Sequence, residues 1–219
     1  MIKLTNVTKY YKTKNKKKYI LNDVTMSIPT GKNIAILGAN GAGKSTLLRM
    51  LGQIDYPNVG TITSDKSFSW PMGLSGGFQG SMTGRNNVKF VCRIYGKDDE
   101  NIKEAIEFVK DFSELGDYFE MPIKKYSSGM KSRLSFALSL FFHFDYMIID
   151  ETLSVGDKAF QKKSKDALRK KIEKSNAILV SHSMGTLREI CDVSIYLNNG
   201  ELKYFDNVED GIKCYESLK

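Results

Sequence analysis

The sequence predicts an α/β domain with a mostly parallel core sheet, and three observations predict it. Short apolar runs alternate with helical stretches, which is typical of strands buried on both faces of a parallel sheet. The N-terminal third consists of alternating strand patterns, which predicts an antiparallel β subdomain. A segment in the middle of the chain has helical periodicity only, which predicts an inserted helical subdomain.

The core strands are predicted from apolar runs at residues 33–37, 146–149 and 177–180. A helix is predicted from Lys44 to Gly52, directly after the first run, and another over residues 158–173, between the second and third. Strands that alternate with helices in this way form parallel sheets, because each helix carries the chain back across the sheet.

The remaining patterns divide the 219 residues into three parts of one domain. Residues 19–28 alternate apolar and polar side chains before a Pro-Thr-Gly turn, as in a half-buried strand. Amphipathic helices are predicted over residues 102–115 and 128–142. We therefore expect an N-terminal β subdomain and the first part of the core at 1–82, a helical subdomain at 83–142 and the second part of the core at 143–219.

Composition excludes several classes of protein. The N-terminus has no apolar signal-peptide region, and the longest apolar stretch, residues 134–149, is interrupted by His143 and Asp145. A membrane span needs roughly 18 or more apolar residues. The three cysteines have no CxxC spacing, so neither a zinc cluster nor a disulfide framework is indicated. A secreted protein and a self-sufficient membrane channel are therefore excluded.

The net charge of +8 is concentrated in the lysine run at residues 12–18. Such a run can contact anionic lipid or nucleic acid. The alternative, a solvated loop between two strands, is favoured because no aromatic residues interleave with the lysines.

The strongest motif lies between a predicted strand and a predicted helix, and it fits G-x-x-x-x-G-K-[ST]. Its glycines let the backbone turn N–H groups towards phosphate oxygens, and the helix N-terminus adds partial positive charge. Lys44 is predicted to reach the β and γ phosphates and Ser45 to bind Mg²⁺. The predicted phosphate-binding residues are Gly38, Ala39, Asn40, Gly41, Ala42, Gly43, Lys44, Ser45 and Thr46.

Two further polar positions follow predicted core strands. Asp150 and Glu151 end the strand at 146–149, where Asp150 suits a Mg²⁺ contact and Glu151 suits activation of a water molecule. His182 follows the strand at 177–180, and a lone histidine is usually structural. The carboxyl ends of parallel strands share one edge of the sheet, so a contact between His182 and the γ-phosphate is the better interpretation.

Ser127, Ser128 and Gly129 open the predicted helix at 128–142. Hydroxyls and unpaired N–H groups at a helix start can bind an anion. A simple N-cap by Ser127 or Ser128 is the alternative interpretation.

Taken in order, these motifs resemble the nucleotide-binding subunit of an ABC transporter over nearly the whole chain. The resemblance implies a P-loop NTPase fold that binds ATP and Mg²⁺ and acts as an ATPase, with Lys44, Glu151 and His182 catalytic. Tyr11 resembles the aromatic residue that stacks on adenine, and Asp157 ends the segment equivalent to the D-loop. Ser45, Asp150 and Gln79 correspond to the Mg²⁺ ligands. Ser127, Ser128 and Gly129 occupy the signature motif, which binds the ATP of a partner subunit.

Departures from the common ABC pattern narrow the resemblance to one subfamily. The signature reads Tyr-Ser-Ser-Gly-Met, and residues 69–87 form an unusual run that begins with Ser-Trp-Pro-Met-Gly. Both resemble the ATPases that export capsular polysaccharide across the inner membrane of Gram-negative bacteria. The resemblance implies ATP-driven export of capsular or a related acidic polysaccharide. Two alternatives remain. One is an ATPase that exports O-antigen or a teichoic-acid-type polysaccharide, and the other is a non-transport ABC ATPase that acts on nucleic acid.

The same resemblance implies the partners and the location of the chain. They are a second copy in a head-to-tail homodimer, a polytopic membrane permease subunit that docks around residues 70–87, and the polysaccharide export machinery. No nucleic acid partner is expected, because ABC proteins of that kind usually carry two fused ATPase units. The chain is expected at the cytoplasmic face of the bacterial inner membrane.

Overall fold

The computed structural model describes residues 1–14, 16–72, 78–150 and 157–218. The chain forms two compact units. The core unit comprises Met1–Pro71, Phe144–Glu151 and Ile172–Lys219, and the helical unit comprises Met72–His143 and Thr152–Lys171. The helical unit thus includes residues after 143 that the sequence analysis grouped with the core.

The described residues contain eight strands and seven α-helices. The strands are β1 (Ile2–Lys12), β2 (Lys17–Ile28), β3 (Ile34–Leu37), β4 (Val59–Ser64), β5 (Tyr146–Ile149), β6 (Asn176–Leu179), β7 (Val193–Asn198) and β8 (Glu201–Phe205). The helices are α1 (Lys44–Leu51), α2 (Gly84–Ile94), α3 (Asp99–Ser113), α4 (Ser128–Phe141), α5 (Lys158–Ile172), α6 (Met184–Ile190) and α7 (Val208–Ser217).

The core unit contains two sheets that match the predicted fold class. An antiparallel sheet has the order β2-β1-β4, and a five-stranded sheet has the order β5-β6-β3-β7-β8. In the second sheet β5, β6, β3 and β7 are parallel and β8 is antiparallel. β3 and β5 are buried along their whole length, as their continuous apolar sequences require.

The lysine run differs from the predicted loop. β1 extends to Lys12 and β2 begins at Lys17, so only residues 13–16 form the connection. The Thr13 amide donates a hydrogen bond of 2.8 Å to the Lys16 carbonyl and closes this turn. Lys17 and Lys18 are therefore strand residues, and their side chains point to opposite faces of the sheet.

The helical unit is built from α2, α3, α4 and α5. Polar side chains cap the helix starts: Thr83 accepts from the Asn86 amide, and Asp98 accepts from the Asn101 amide. Its core includes aromatic contacts from Phe112 to Phe136 and to Phe160, which tie α3 to α4 and α5. No helix among the described residues has the length and apolar character needed to cross a bilayer.

Candidate nucleotide-binding site

A cavity of about 480 Å³ on the core unit brings together half of the predicted site residues. Its volume lies in the range of small-molecule sites, roughly 300–1,000 Å³. The residues that line it are Tyr11, Lys18, Ile20, Asn40, Gly41, Gly43, Lys44, Ser45, Thr46, Asp150, Val180 and His182.

The phosphate end of the cavity is formed by the loop between β3 and α1. Gly41 and Gly43 have φ of 76° and 112°, which L-residues rarely adopt. A Cβ atom on Gly43 would lie 2.3 Å from Ile20 Cγ2, and one on Gly38 would lie 2.6 Å from the Leu197 carbonyl oxygen. The loop therefore requires glycine at these positions, and the backbone cradle it forms fits a phosphate chain.

Lys44 begins α1 and its ammonium group is held over this loop. Its Nζ donates hydrogen bonds of 2.7 Å to the Gly38 carbonyl and 3.1 Å to the Ala39 carbonyl. Helix α1 begins after Gly43, which has no side chain to cap the first amides. The lysine charge and the partial positive charge of the helix N-terminus thus converge at the mouth of the loop, as an anion site requires.

Asp150 and His182 reach the same cavity because of the strand order. β5, β6 and β3 are neighbours and parallel, so their carboxyl ends lie side by side. Asp150 directly follows β5, and His182 lies three residues after β6. The Ser45 hydroxyl and the Asp150 carboxylate offer oxygen donors, which Mg²⁺ prefers, so these residues fit the predicted ion.

Tyr11 lies in the antiparallel sheet and supplies an aromatic wall. It pairs with Lys18 across the β1–β2 ladder, so the two side chains share one face of the sheet. The Tyr11 side chain is 40% exposed, which leaves ring surface available for a ligand. The cavity therefore combines an aromatic surface with a phosphate cradle.

Lys18 and Ile20 were not predicted as site residues. Strand alternation could have found them, because residues 18 and 20 share a face of β2, and Ile20 is the residue that closely approaches Gly43. The signal was missed because the strand was predicted to begin at Tyr19, after the lysines.

Several predicted site residues lie elsewhere in the chain. Glu151 is outside the described residues, so its role stays a prediction. Ser127, Ser128, Gly129, Gln79 and Asp157 belong to the helical unit. Ser127 Oγ accepts from the Met130 amide at 3.2 Å and caps α4, which confirms the N-cap interpretation for this residue. Binding of a partner's ATP by this motif stays a prediction.

The Asp157 carboxylate is engaged within the helical unit. Its Oδ1 accepts from the Phe160 amide at 2.9 Å, and its Oδ2 accepts from Arg133 Nη2 at 2.9 Å. The hydrogen bond from Phe160 is the main cause that lowers the pKa of Asp157, with further help from Arg133. Asp157 therefore joins the start of α5 to the signature helix α4, and its predicted contact with nucleotide stays a prediction.

The segment that carries Gln79 is tied down by Asn87, which is fully buried. Asn87 Oδ1 accepts from the Gln79 amide at 2.8 Å. Its Nδ2 lies within hydrogen-bond distance of three carbonyl oxygens, at 3.1 Å from Gln79, 3.3 Å from Met82 and 2.9 Å from Thr83. The Gln79 side chain itself is exposed, and its predicted contact with Mg²⁺ stays a prediction.

Replacing Asn87 with alanine should destabilise the protein by about 2–3 kcal/mol, because buried backbone groups lose their partners. Urea denaturation followed by circular dichroism measures this change in the free energy of unfolding. Asn86→Ala is the matched control, because Asn86 is exposed on the same turn of α2 and should alter stability little. Equal effects of the two substitutions would contradict the assigned role of Asn87.

Comparison with known proteins agrees with this geometry. The family model described as ABC transporter matches residues 21–154. The chain is 52% identical to the polysialic acid transport ATP-binding protein KpsT of Escherichia coli, over 100% of this chain and 99% of KpsT. It is 43% identical to the capsule polysaccharide export ATP-binding protein CtrD of Neisseria meningitidis serogroup B, over 100% of both chains.

Solved structures agree as well. The dimeric structure of MJ0796, a bacterial ABC transporter cassette, is 25% identical and superimposes with a TM-score of 0.71 over 93% of this chain and 97% of that one. The predicted resemblance to ABC ATP-binding subunits, and among them to capsular polysaccharide exporters, is confirmed. The chain belongs to the ABC transporter family, in which it is an ATP-binding subunit.

Proposed function

We propose that this chain hydrolyses ATP to power the export of capsular or a related acidic polysaccharide across the inner membrane. The observation that carries the proposal is the cavity that joins Tyr11, the glycine loop, Lys44, Asp150 and His182 on one unit. Similarity over 99–100% of each chain to a polysialic acid transport ATP-binding protein and to a capsule polysaccharide export ATP-binding protein supports the substrate class.

Each proposed site residue suits one part of the nucleotide or one step of its hydrolysis. The Tyr11 ring stacks on adenine, and the loop amides with Lys44 bind the phosphates. Ser45 and Asp150 would hold Mg²⁺, which would neutralise charge on the phosphates. Glu151 accepts a proton from the attacking water, and His182 contacts the γ-phosphate.

The second half of the site comes from another copy of the chain in a head-to-tail homodimer. Ser127, Ser128 and Gly129 of that copy close over the phosphates, and Asp157 supports this segment through its bond to Arg133. ATP holds the dimer closed, and hydrolysis reopens it. A polytopic membrane permease converts this cycle into polymer movement, which locates the chain at the cytoplasmic face of the membrane.

Deletion of the gene tests the substrate. The cells should lose surface polysaccharide and regain it when the gene is restored. Purification of the tagged chain from detergent-solubilised membranes should recover a polytopic membrane protein. A normal capsule would refute the assigned substrate. RNA-dependent sedimentation in place of a membrane partner would favour the alternative ATPase that acts on nucleic acid.

Lys18 should contribute to nucleotide affinity, because it shares the cavity-facing side of β2 with Ile20 and pairs with Tyr11. Lys18→Gln should weaken ATP binding about three- to tenfold, and the loss should shrink at high salt as charge is screened. Lys17→Gln is the matched control, since Lys17 lies on the other face, over the Tyr10 ring. Calorimetric titration measures both, and equal affinities would refute the role of Lys18.

A further inference from the structure

A polar network surrounds the hydroxyl group of Tyr11 at the edge of the nucleotide cavity. Its centre is Lys9, an almost fully buried lysine with 6% of its surface exposed. Lys9 Nζ donates to Asp55 Oδ1 and to the Tyr56 carbonyl, the latter at 2.7 Å. A buried ammonium group is costly unless it is paired, so this pair fixes Asp55 beside β1.

Asp55 in turn holds the hydroxyl group of Tyr11. Its second carboxylate oxygen, Oδ2, accepts a hydrogen bond of 3.0 Å from the Tyr11 hydroxyl. Burial raises the pKa of Asp55, but hydrogen bonds from Lys9, the Tyr56 amide and Tyr11 lower it by more in sum, so the carboxyl stays ionised. An ionised acceptor gives the stronger bond to the phenol.

Arg49 links the same hydroxyl to the phosphate end of the cavity. Its Nη2 donates a hydrogen bond of 3.2 Å to the Tyr11 hydroxyl and one of 3.1 Å to Thr46 Oγ1. Thr46 lines the cavity one residue after Ser45 on α1. The aromatic wall and the first turn of α1 are therefore held together through one guanidinium group.

The network fixes the ring before any ligand arrives. A tyrosine on an exposed strand surface samples several rotamers, and ordering it on binding costs affinity. Here the hydroxyl has a carboxylate acceptor and a guanidinium donor, and the Lys9 ammonium lies 5.3 Å from the ring centre. The ring is thus held at a defined distance from the phosphate cradle.

We infer that Asp55 and Arg49 are positioning residues that hold the Tyr11 ring in place for the base of the nucleotide. The inference rests on the proposed stacking role of Tyr11. Neither residue lines the cavity as described, so each acts through Tyr11 and not on the nucleotide. The bond between Asp55 and Tyr11 therefore affects recognition of the base and leaves recognition of the phosphates unchanged.

A double-mutant cycle with Tyr11→Phe and Asp55→Asn tests this inference. Each single variant should weaken ATP binding about three- to tenfold, and the double variant should lose no more than the worse single variant, because both remove the same charge-assisted bond. Binding of inorganic tripolyphosphate, which has no base, should be unchanged. In ATPase assays KM should rise while kcat stays near the wild-type value.

Asp65→Asn is the control, because Asp65 is an exposed carboxylate that pairs with the N-terminal amine. Thermal melting of every variant reports folding. If Asp55→Asn fails to fold because Lys9 is left unpaired, the cycle is run with Tyr11→Phe and Arg49→Met, which leave the Lys9 pair intact. That cycle is judged on the additivity of the losses in ATP affinity alone, because Arg49 also binds Thr46. Additive losses, equal losses for ATP and tripolyphosphate, or unchanged ATP affinity would overturn the inference. Wild-type protein that fails to bind ATP would instead refute the proposed function.

Discussion

Glu151→Gln should reduce ATP turnover by about 10²- to 10⁴-fold while ATP still binds. Glutamine keeps the size of the side chain but cannot accept the proton of the attacking water, which removes a general base. Because phosphate binding depends on the glycine loop and Lys44, the affinity for ATP should stay within about twofold of wild type. Phosphate release and calorimetric titration measure the two quantities separately.

The same variant should accumulate as an ATP-bound dimer, since hydrolysis is proposed to reopen the dimer. Size-exclusion chromatography with ATP and Mg²⁺ measures this shift. Glu173→Gln, at an exposed position beyond α5, is the matched control and should behave as wild type. Unchanged ATP turnover in Glu151→Gln would show that Glu151 is not the general base.

Lys44→Met should weaken ATP binding at least about 100-fold. Methionine retains the apolar stem of lysine but lacks the ammonium group. In the wild-type structure this group lies 2.7 Å from the Gly38 carbonyl oxygen, above the phosphate cradle. Charge-assisted bonds to phosphate are among the strongest polar contacts in proteins. Lys18 is the only other lysine or arginine among the residues that line the cavity. Calorimetric titration with ATP and with ADP measures the loss.

The expected loss should depend on the number of phosphates. The affinity of the variant for ATP should fall more than its affinity for ADP, because Lys44 is proposed to reach the γ-phosphate as well as the β-phosphate. Lys32→Met serves as the control, since Lys32 is exposed and does not line the cavity. Tight ATP binding by folded Lys44→Met protein would contradict the proposed phosphate site.

Local sequence was enough to predict the phosphate end of the site. The strand β3, the glycine loop and α1 are consecutive in the chain, and each is encoded by a pattern of its own. Asp150 and His182 were predicted to join them because parallel strands end at one sheet edge, and both line the cavity. The glycine motif and the rule for parallel strands therefore identified eight of the twelve residues that line the cavity.

The base end of the site depends on contacts that no local pattern reveals. Asp55 meets Tyr11 across a separation of 44 residues, and the β1–β2 ladder contains three register shifts that decide which side chains share a face. A strand boundary misplaced by two residues was enough to assign Lys18 to solvent. Long-range pairs of this kind are settled by packing, and local propensity carries little information about them.

The central claim is tested most directly by measuring polysaccharide inside and outside cells that express Glu151→Gln as their only copy of this chain. If the chain powers export, the polymer should still be synthesised, should accumulate in the cytoplasm, and should be almost absent from the cell surface. Wild-type cells and cells with Glu173→Gln should carry it at the surface. Normal surface polysaccharide in Glu151→Gln cells would contradict the account.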